Sequence, residues 1–310
     1  AGGGAEGCRW GVWDGGLRGA ADVLHPGERR RRGEDGYVGL EVAPTLAHGT
    51  RRTIAMAEDL WKRCGRPNVM VKIPATKEGV PAIRDQISKG HNINVTLIFS
   101  VNRYAEVIEA YLSGLEALQR KGGDLSGVAS VASFFVSRVD TKVDKLLAAM
   151  IETTADPAKK RDLERLYGKA AIANSKMAYQ MFQKAFRGPR WAKLKAAGAM
   201  VQRPLWASTS TKDPRYPDTY YVEELIGPDT VDTIPPATLA AFREHGEVRR
   251  SIDENVALAA RQRKDLAAAG VDLAAVPNEP AGEGGRSFPT AFEALAPASR
   301  VRPSLNSSAP

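Results

Sequence analysis

The sequence predicts an α/β protein with a parallel sheet, either an incomplete (β/α)8 barrel or an open doubly wound sheet. Strand patterns alternate with helical patterns along the chain, which is typical of parallel strands joined by helical crossovers. We count six strands, whereas a closed barrel of this type needs eight. No glycine-rich phosphate loop follows the first strand, which disfavours the dinucleotide-binding version of the open sheet.

The N-terminal residues differ in composition from the rest of the chain. Residues 1–36 are rich in Gly and Arg and have no sustained periodicity, so we expect a poorly ordered segment with one short helix near Leu17–Val23. The barrel domain is expected over residues 37–275. Residues 276–310 are expected to form a short helix, Ser287–Leu295, and a tail.

The six predicted strands are short apolar segments rich in β-branched and aromatic residues. They cover Tyr37–Val42, Val69–Ile73, Asn94–Phe99, Val128–Phe135, Met200–Ala207 and Thr230–Ile234. The predicted helices have apolar residues at helical spacing, with caps or breakers at their ends. They are Leu46–Cys64, Val80–Lys89, a helix capped by Ser100, Val139–Phe186 with a break at Asp156-Pro157, a short helix ending at Gly198, Pro236–Glu244, and Ser251–Ala269 with Ser251 as its cap.

Composition excludes several classes of protein. The 310 residues are 43% hydrophobic and 26% charged, which is typical of a globular chain. The sequence holds no apolar run of about 18 residues, so we expect no membrane-spanning helix. Its two cysteines, Cys8 and Cys64, cannot form a disulfide scaffold, and no zinc-type Cys/His spacing is present, so we expect neither metal nor cofactor.

The net charge of +8 includes one basic run, Arg29–Arg32. Such a run is more typical of a solvated segment than of a nucleic-acid site, so we expect no nucleic-acid partner. A basic protein also suits anionic small substrates such as phosphates. The N-terminus has no apolar signal core, which predicts a cytoplasmic protein, and the absence of an initiator Met suggests that the chain is a fragment.

Polar residues occupy one face of three consecutive predicted strands. Alternation along a strand places Lys72 opposite its β-branched neighbours and Glu41 opposite Val38, Leu40 and Val42. Asn94 and Thr96 share the corresponding face of the third strand, opposite Val95, Leu97 and Phe99. Because parallel α/β folds build their active sites at the carboxyl ends of strands, these residues predict a site there.

Lys72 has two interpretations. A lone strand lysine most often extends its amine to water. Burial in an apolar barrel instead favours the neutral amine, which can attack a carbonyl carbon and form a Schiff base. Glu41, Asn94 and Thr96 at matching positions favour the second interpretation, in which Glu41 moves protons directly or through a water held by Thr96.

Five long segments resemble the transaldolase family in order and spacing over about residues 33–275, and in particular the longer bacterial form. They are GYVGLEVAPTLAHGT, VMVKIPATKEGVPAI, INVTLIFSVNRYAEV, SVASFFVSRVD and QRPLWASTSTKDP. The resemblance implies a (β/α)8 barrel of the class I aldolase type. It also implies transfer of a dihydroxyacetone unit between sugar phosphates, with Lys72 as the Schiff-base lysine and Glu41 as the acid/base group, working through a water with Thr96.

The resemblance also implies a set of substrate contacts. Asn94 and Ser133 would bind substrate, Phe135 lies in the same block, and Arg138 and Ser208 would bind phosphate. The family's arginine near that serine is not evident, and Lys212 is the candidate to replace it. Considered singly, a serine such as Ser133 most often fills space and a phenylalanine such as Phe135 is most often a core residue. Arg138 by itself is compatible with an ion pair to Asp140 at a helix start.

The front of the chain departs from the family, whose first strand carries an aspartate. The 36 residues before Tyr37 leave room for one helix and not for two βα units, so we expect the first two units to be absent. Asp14 could replace that aspartate only by coincidence, because the sequence between Asp14 and Glu41 is too short for two βα units. The resemblance implies a transaldolase of the pentose phosphate pathway. A simple class I aldolase and an inactive sugar-phosphate-binding fragment remain alternatives, and the sequence does not define the oligomeric state.

Overall fold

Six parallel strands form one sheet in the computed structural model, which describes residues 5–31, 33–42 and 49–273, with side chains from residue 15 onward. Each strand pairs with its neighbour in sequence, in the order β1-β2-β3-β4-β5-β6. A doubly wound sheet reverses its strand order, so this continuous order identifies an incomplete (β/α)8 barrel and confirms that prediction. The strands are β1 Val38–Glu41, β2 Val69–Pro74, β3 Ile93–Ile98, β4 Ser130–Phe135, β5 Gln202–Ala207 and β6 Val231–Asp232.

Helices fill the connections between the strands and also precede the first strand and follow the last. They are α1 Ala5–Arg30, α2 Thr50–Cys64, α3 Gly79–Ile87, α4 Val101–Arg120, α5 Ser137–Thr153, α6 Pro157–Glu164, α7 Ala170–Ala185, α8 Pro189–Ala196, α9 Tyr220–Glu223, α10 Pro236–His245 and α11 Val256–Ala268. None of these helices is long and apolar enough to cross a membrane.

The helical stretch predicted over Val139–Phe186 is broken twice, not once. The predicted break is confirmed: Pro157 opens α6, and the Asp156 side chain accepts a hydrogen bond from the Ala158 N–H at 2.8 Å. A second turn separates α6 from α7 at Gly168, whose φ of +64° is in the left-handed region. A single glycine within a helical pattern can either be tolerated inside a helix or mark a turn, and the sequence does not show which. This second break was therefore not predicted.

The two faces of the sheet bury two separate apolar clusters, as strand alternation predicts. Val69, Val71 and Ile73 are fully buried on the outer face, in the large core shared with the helices. Met70 lies on the inner face, in a small cluster with residues from the neighbouring strands; the fully buried members of that cluster are Met70, Ala129, Val131 and Leu205. This inner cluster forms the floor beneath the polar residues at the strands' carboxyl ends.

Strict alternation predicted for the third strand fails beyond Thr96. A bulge lies between Val95 and Ile98, and Leu97 has a φ of +59°. Val95 and Ile98 are fully buried in the large outer core, and the half-buried Leu97 packs against that core. Leu97 is therefore on the outer face with Val95, as predicted, and Ile98 is the residue that departs from alternation. The bulge follows Asn94 and leaves it on the inner face.

Of the two predicted serine caps, one is confirmed. The Ser100 side chain accepts a hydrogen bond from the Arg103 N–H at the start of α4. Ser251 does not cap the last helix, because α11 begins only at Val256. Ser251 is buried instead, where its hydroxyl donates to the Glu223 carbonyl and accepts from the Ile226 N–H. This tertiary role takes precedence over the local capping preference.

Several expectations concern the ends of the chain. The short helix expected near Leu17–Val23 lies within the longer α1, which occupies the one-helix space foreseen before β1. The boundaries after residues 36 and 275 stay predictions. The helix expected at Ser287–Leu295, the tail, the Asp14 side chain and residues 46–48 lie outside the described residues.

Candidate active site

Three polar residues form one row across the inner face of the first three strands. Glu41 pairs in register with Lys72, and Lys72 pairs with Asn94. The Lys72 side chain lies over Gly39 of β1, where an added Cβ would stand 2.7 Å from the Lys72 Cε. Glu41 and Lys72 are half-buried, so both remain accessible to a substrate. The row brings an amine and a carboxylate side by side on the inner face.

The environment of Glu41 suits a group that both takes and gives protons. Burial raises the pKa of its carboxyl above the usual 4.5, and the positive charge of Lys72 partly offsets that rise. A carboxyl whose pKa moves toward neutrality exchanges protons more readily near physiological pH. The pairing of Glu41 with Lys72 therefore supplies a proton-transfer group next to a potential nucleophile.

The third and fourth strands add hydroxyl and amide groups to this row. The Ser133 Oγ donates to the Asn94 Oδ1 at 2.7 Å, which fixes the orientation of the buried amide. The Thr96 Oγ1 is buried, and among the described residues it has no hydrogen-bond partner. Because a buried hydroxyl without a partner is costly, a site that holds a polar ligand or a water explains its presence.

A second group of predicted residues meets where β4 and β5 end. The Arg138 guanidinium lies 4.6 Å from the centre of the Phe135 ring, and Phe135 packs near Phe99. The oxygen atoms of the Ser137 and Ser208 side chains are 2.9 Å apart, at the N-terminus of α5. Helix N-termini attract anions, and Arg138 is exposed at the second position of this helix.

Ser137 is a candidate residue that sequence reasoning missed. It stands at the first position of α5, directly before Arg138, and its N–H donates to the Ser208 carbonyl at 3.0 Å. The sequence feature that could have identified Ser137 is a serine at the start of a helix, directly before an arginine. Ser208 has a φ of +60°, a conformation uncommon for residues with a side chain, so the chain bends sharply at this contact.

The structure does not support the ion pair considered between Arg138 and Asp140. The Asp140 carboxylate instead accepts hydrogen bonds from the Ala171 N–H at 2.7 Å and the Tyr221 hydroxyl at 2.9 Å. Burial raises the pKa of Asp140 to about 7. Within the described part of the chain Arg138 makes no ion pair, which leaves its charge for a ligand.

Lys212 lies further along the loop after β5. Its Nζ donates to the Ser210 Oγ at 2.8 Å, and it lines a cavity together with Thr141 and Asp144. Its role as a second phosphate-binding cation stays a prediction.

Asp232 is a half-buried carboxyl that the sequence did not single out. It lies in β6, and its Oδ1 accepts a hydrogen bond from the Thr209 Oγ1 at 3.0 Å. Burial raises its pKa to about 7, and the Thr209 bond opposes that rise. The pKa of Asp232 in the folded state is higher than its usual 3.8, so the folded protein favours the protonated carboxyl. The contribution of Asp232 to the free energy of unfolding is therefore complete below about pH 4 and is lost as pH rises through about 7.

Asp232→Asn should therefore flatten the pH dependence of stability. The Asn amide oxygen still accepts the hydrogen bond from Thr209, but the side chain cannot become charged as the pH rises. The free energy of unfolding should therefore fall less between pH 4 and 8 than in the unaltered chain. The difference should be a few kcal/mol, at about 1.4 kcal/mol per pKa unit. Urea unfolding at several pH values measures this. The control is Asp124→Asn, which removes an exposed carboxyl whose pKa Ser126 lowers. An unchanged slope in Asp232→Asn contradicts the assignment.

The continuous parallel sheet, with an amine and a carboxylate paired at its carboxyl ends, defines an incomplete (β/α)8 barrel of the class I aldolase type. The family model described as transaldolase/fructose-6-phosphate aldolase matches residues 15–298. The chain belongs to this family, and the match extends beyond the residues 33–275 that carry the resemblance.

Relatives with high identity have the same name. A transaldolase of Parafrankia sp. is 50% identical over 280 residues, which are 90% of this chain and 74% of the relative. Transaldolase 1 of Streptomyces avermitilis is 52% identical over 252 residues, 81% of this chain and 64% of the relative. A transaldolase of Saccharopolyspora erythraea is 50% identical over 258 residues, 83% of this chain and 67% of the relative. The chain thus spans about two thirds to three quarters of these relatives.

Proposed function

We propose that this chain carries the Schiff-base site of a transaldolase. The enzyme moves a dihydroxyacetone unit from sedoheptulose 7-phosphate or fructose 6-phosphate to glyceraldehyde 3-phosphate or erythrose 4-phosphate. The observation that carries the proposal is the pairing of Glu41 with Lys72 on the inner face. Family membership and the names of the relatives support it. The cytoplasm and the non-oxidative pentose phosphate pathway are further parts of the proposal that rest on the resemblance.

The proposed chemistry begins at the Lys72 amine. It attacks the ketose carbonyl, and loss of water gives a protonated Schiff base, which acts as an electron sink. The C4 hydroxyl then gives its proton to a water in the site, the bond between C3 and C4 breaks, and the rest of the sugar leaves as an aldose phosphate with a new aldehyde group. The electron pair of the broken bond moves into the Schiff base, so the three-carbon unit remains on Lys72 as an enamine. The enamine carbon attacks the aldehyde of the acceptor, and hydrolysis returns the free amine. Glu41, through a water held by Thr96, transfers the protons for formation and hydrolysis of the Schiff base.

The other site residues would bind and orient the sugar phosphate. The Asn94 amide, fixed by Ser133, suits the hydroxyl groups of the three-carbon unit. Arg138 and Ser208, with Ser137, suit the phosphate, because a guanidinium and a helix N-terminus both favour an anion. Phe135 would form the wall between them, beneath the Arg138 guanidinium. No cofactor is needed in this scheme.

Product analysis tests the proposal. With fructose 6-phosphate and erythrose 4-phosphate, a transaldolase forms sedoheptulose 7-phosphate and little free dihydroxyacetone. A simple aldolase, which the family description also covers, releases dihydroxyacetone with or without the acceptor. A sugar-phosphate-binding protein without activity forms neither product. Release of free dihydroxyacetone at the same rate in the presence and absence of the acceptor would contradict transaldolase activity.

Residues 1–310 tested by themselves should have low turnover. Six parallel strands leave the outer edges of β1 and β6 unpaired within the described part of the chain, and the site opens to water. Water raises the effective dielectric at the half-buried Glu41–Lys72 pair, and the six strands hold no counterpart of the family's first-strand aspartate. We expect at least a tenfold rise in turnover when two βα units from a complete relative are added at the N-terminus.

Turnover and sedimentation of both chains measure this effect. The exposed strand edges should also make residues 1–310 self-associate as concentration rises, and the extended chain should do so less. Equal turnover in a monomeric 310-residue chain would overturn the prediction, and Asp14 would then be the first residue to replace.

A further inference from the structure

The loop that follows β5 is attached to α5 at two points. At its start, the Ser208 carbonyl accepts a hydrogen bond from the Ser137 N–H at 3.0 Å, and the two serine hydroxyls are in hydrogen-bond contact. At its end, the Tyr216 hydroxyl donates to the Asp144 Oδ2 at 2.6 Å. Ser137 and Asp144 are seven residues apart in the sequence, so they lie on the same side of the helix two turns apart. The loop from Ser208 to Tyr216 thus lies along one face of α5.

The Asp144 attachment is a well-ordered contact between several elements. The carboxylate is 8% exposed, and its Oδ1 also accepts the Gly168 N–H at 3.0 Å. The Tyr216 ring lies directly on Gly168, where an added Cβ would stand 2.7 Å from ring atoms. Both carboxylate oxygens are therefore engaged, and the Tyr216 ring packs against the Gly168 backbone. A hydrogen bond between a hydroxyl and a buried carboxylate is among the stronger kinds.

A second contact holds the same end of the loop. The Arg215 guanidinium stacks 4.6 Å from the centre of the Tyr167 ring, in the turn between α6 and α7. It also binds the Asp213 carboxylate at 2.6 Å, within the loop. Residues 213–216 are thereby fixed to the helical layer. Lys212, just before them, stands at the edge of a cavity of about 460 Å³ with Thr141 and Lys145.

We infer that Asp144 and Tyr216 are positioning residues for phosphate recognition: their bond holds the loop so that Ser208 stays against Ser137, the residue directly before Arg138. The inference rests on the proposed function and deepens it, because it assigns the geometry of the phosphate end to residues that do not touch the substrate. A loop held in its binding conformation does not lose conformational freedom when the phosphate binds, so affinity rises. Binding of the three-carbon unit at Lys72 does not use this loop.

Tyr216→Phe tests the inference, because it removes only the hydroxyl that reaches α5. The matched control is Tyr220→Phe: Tyr220 lies in the same ring cluster, and its hydroxyl donates to the Gly168 carbonyl at 2.9 Å rather than to Asp144. Calorimetry with inorganic phosphate and borohydride trapping with unphosphorylated dihydroxyacetone are measured on the 310-residue chain. We expect phosphate affinity to fall about tenfold in Tyr216→Phe, with trapping of dihydroxyacetone unchanged, and neither to change in Tyr220→Phe.

Replacements of Asp144 provide an independent check. Asp144→Ala should weaken phosphate binding at least as much as Tyr216→Phe, because it removes the Tyr216 bond and also the bond from the Gly168 N–H. The double variant should be no weaker than Asp144→Ala, because the Tyr216 bond is already lost there. Asp144→Asn, which retains polar atoms for both partners, should recover most of the affinity. Circular dichroism establishes that each variant folds.

The outcomes separate this inference from the proposed function. Equal loss of phosphate affinity in Tyr216→Phe and Tyr220→Phe, or no loss in either, overturns the inference. Additive losses in the Asp144→Ala, Tyr216→Phe double variant also overturn it, as does failure of the unaltered chain to bind phosphate. Absence of any adduct at Lys72 in the unaltered chain sinks the proposed function instead, while the phosphate measurements still decide the inference.

Discussion

Lys72→Arg should abolish both the covalent adduct with fructose 6-phosphate and all turnover. A guanidinium stays protonated at every accessible pH, so it cannot supply the electron pair that attacks the carbonyl carbon. The substitution retains positive charge next to Glu41, so the loss reports nucleophilicity rather than charge. Borohydride reduction followed by intact mass measurement detects the adduct, and turnover is measured in the chain extended by two βα units.

The control for Lys72 is Lys89→Arg. Lys89 lies just after α3, and its partly exposed amine is bound by the carboxylates of Glu58 and Asp85. This variant should form the adduct as the unaltered chain does. A full-size adduct in Lys72→Arg would mean that another lysine is the nucleophile.

Glu41→Gln should lower turnover by roughly 10²–10⁴-fold, the usual contribution of a positioned general base. The amide keeps the size of the carboxyl but cannot take a proton. Because burial raises the pKa of Glu41, the unaltered enzyme should also lose activity as pH falls through that pKa and the base becomes protonated. Glu41→Gln should lack this acid limb. Rates over a pH series in the extended chain measure both effects.

The matched control is Glu152→Gln on the exposed surface of α5, which should leave the pH profile unchanged. Thr96→Val removes the other group assigned to the water and should lower turnover in the same direction. A Glu41→Gln enzyme with the unaltered rate and the same acid limb is incompatible with the role of Glu41.

Strand alternation predicted the inner face well, because the period of two is a local property of each segment. It placed Glu41 and Lys72 on the same face before any contact was known, and the register then brought them side by side. The resemblance contributed the residues at the ends of β4 and β5, where a single serine or arginine has little meaning alone. Their roles stay predictions.

Features that depend on contacts between distant segments were not predictable in this way. The bulge at Leu97 and the turn at Gly168 interrupt patterns that looked continuous. Serine is a residue type that favours helix N-caps, but the hydroxyl of Ser251 forms hydrogen bonds with the backbone of Glu223 and Ile226, in an earlier segment. The Asp144–Tyr216 bond joins residues 72 positions apart, and no local pattern connects them.

The most direct test of the central claim is the position of the covalent adduct. The unaltered 310-residue chain is reduced with borohydride in the presence of fructose 6-phosphate, digested, and analysed by peptide mass spectrometry. We predict a three-carbon addition on the peptide that contains Lys72, the lysine that β2 places beside Glu41. An addition found on Lys77 or Lys89, with Lys72 unmodified, would contradict the account.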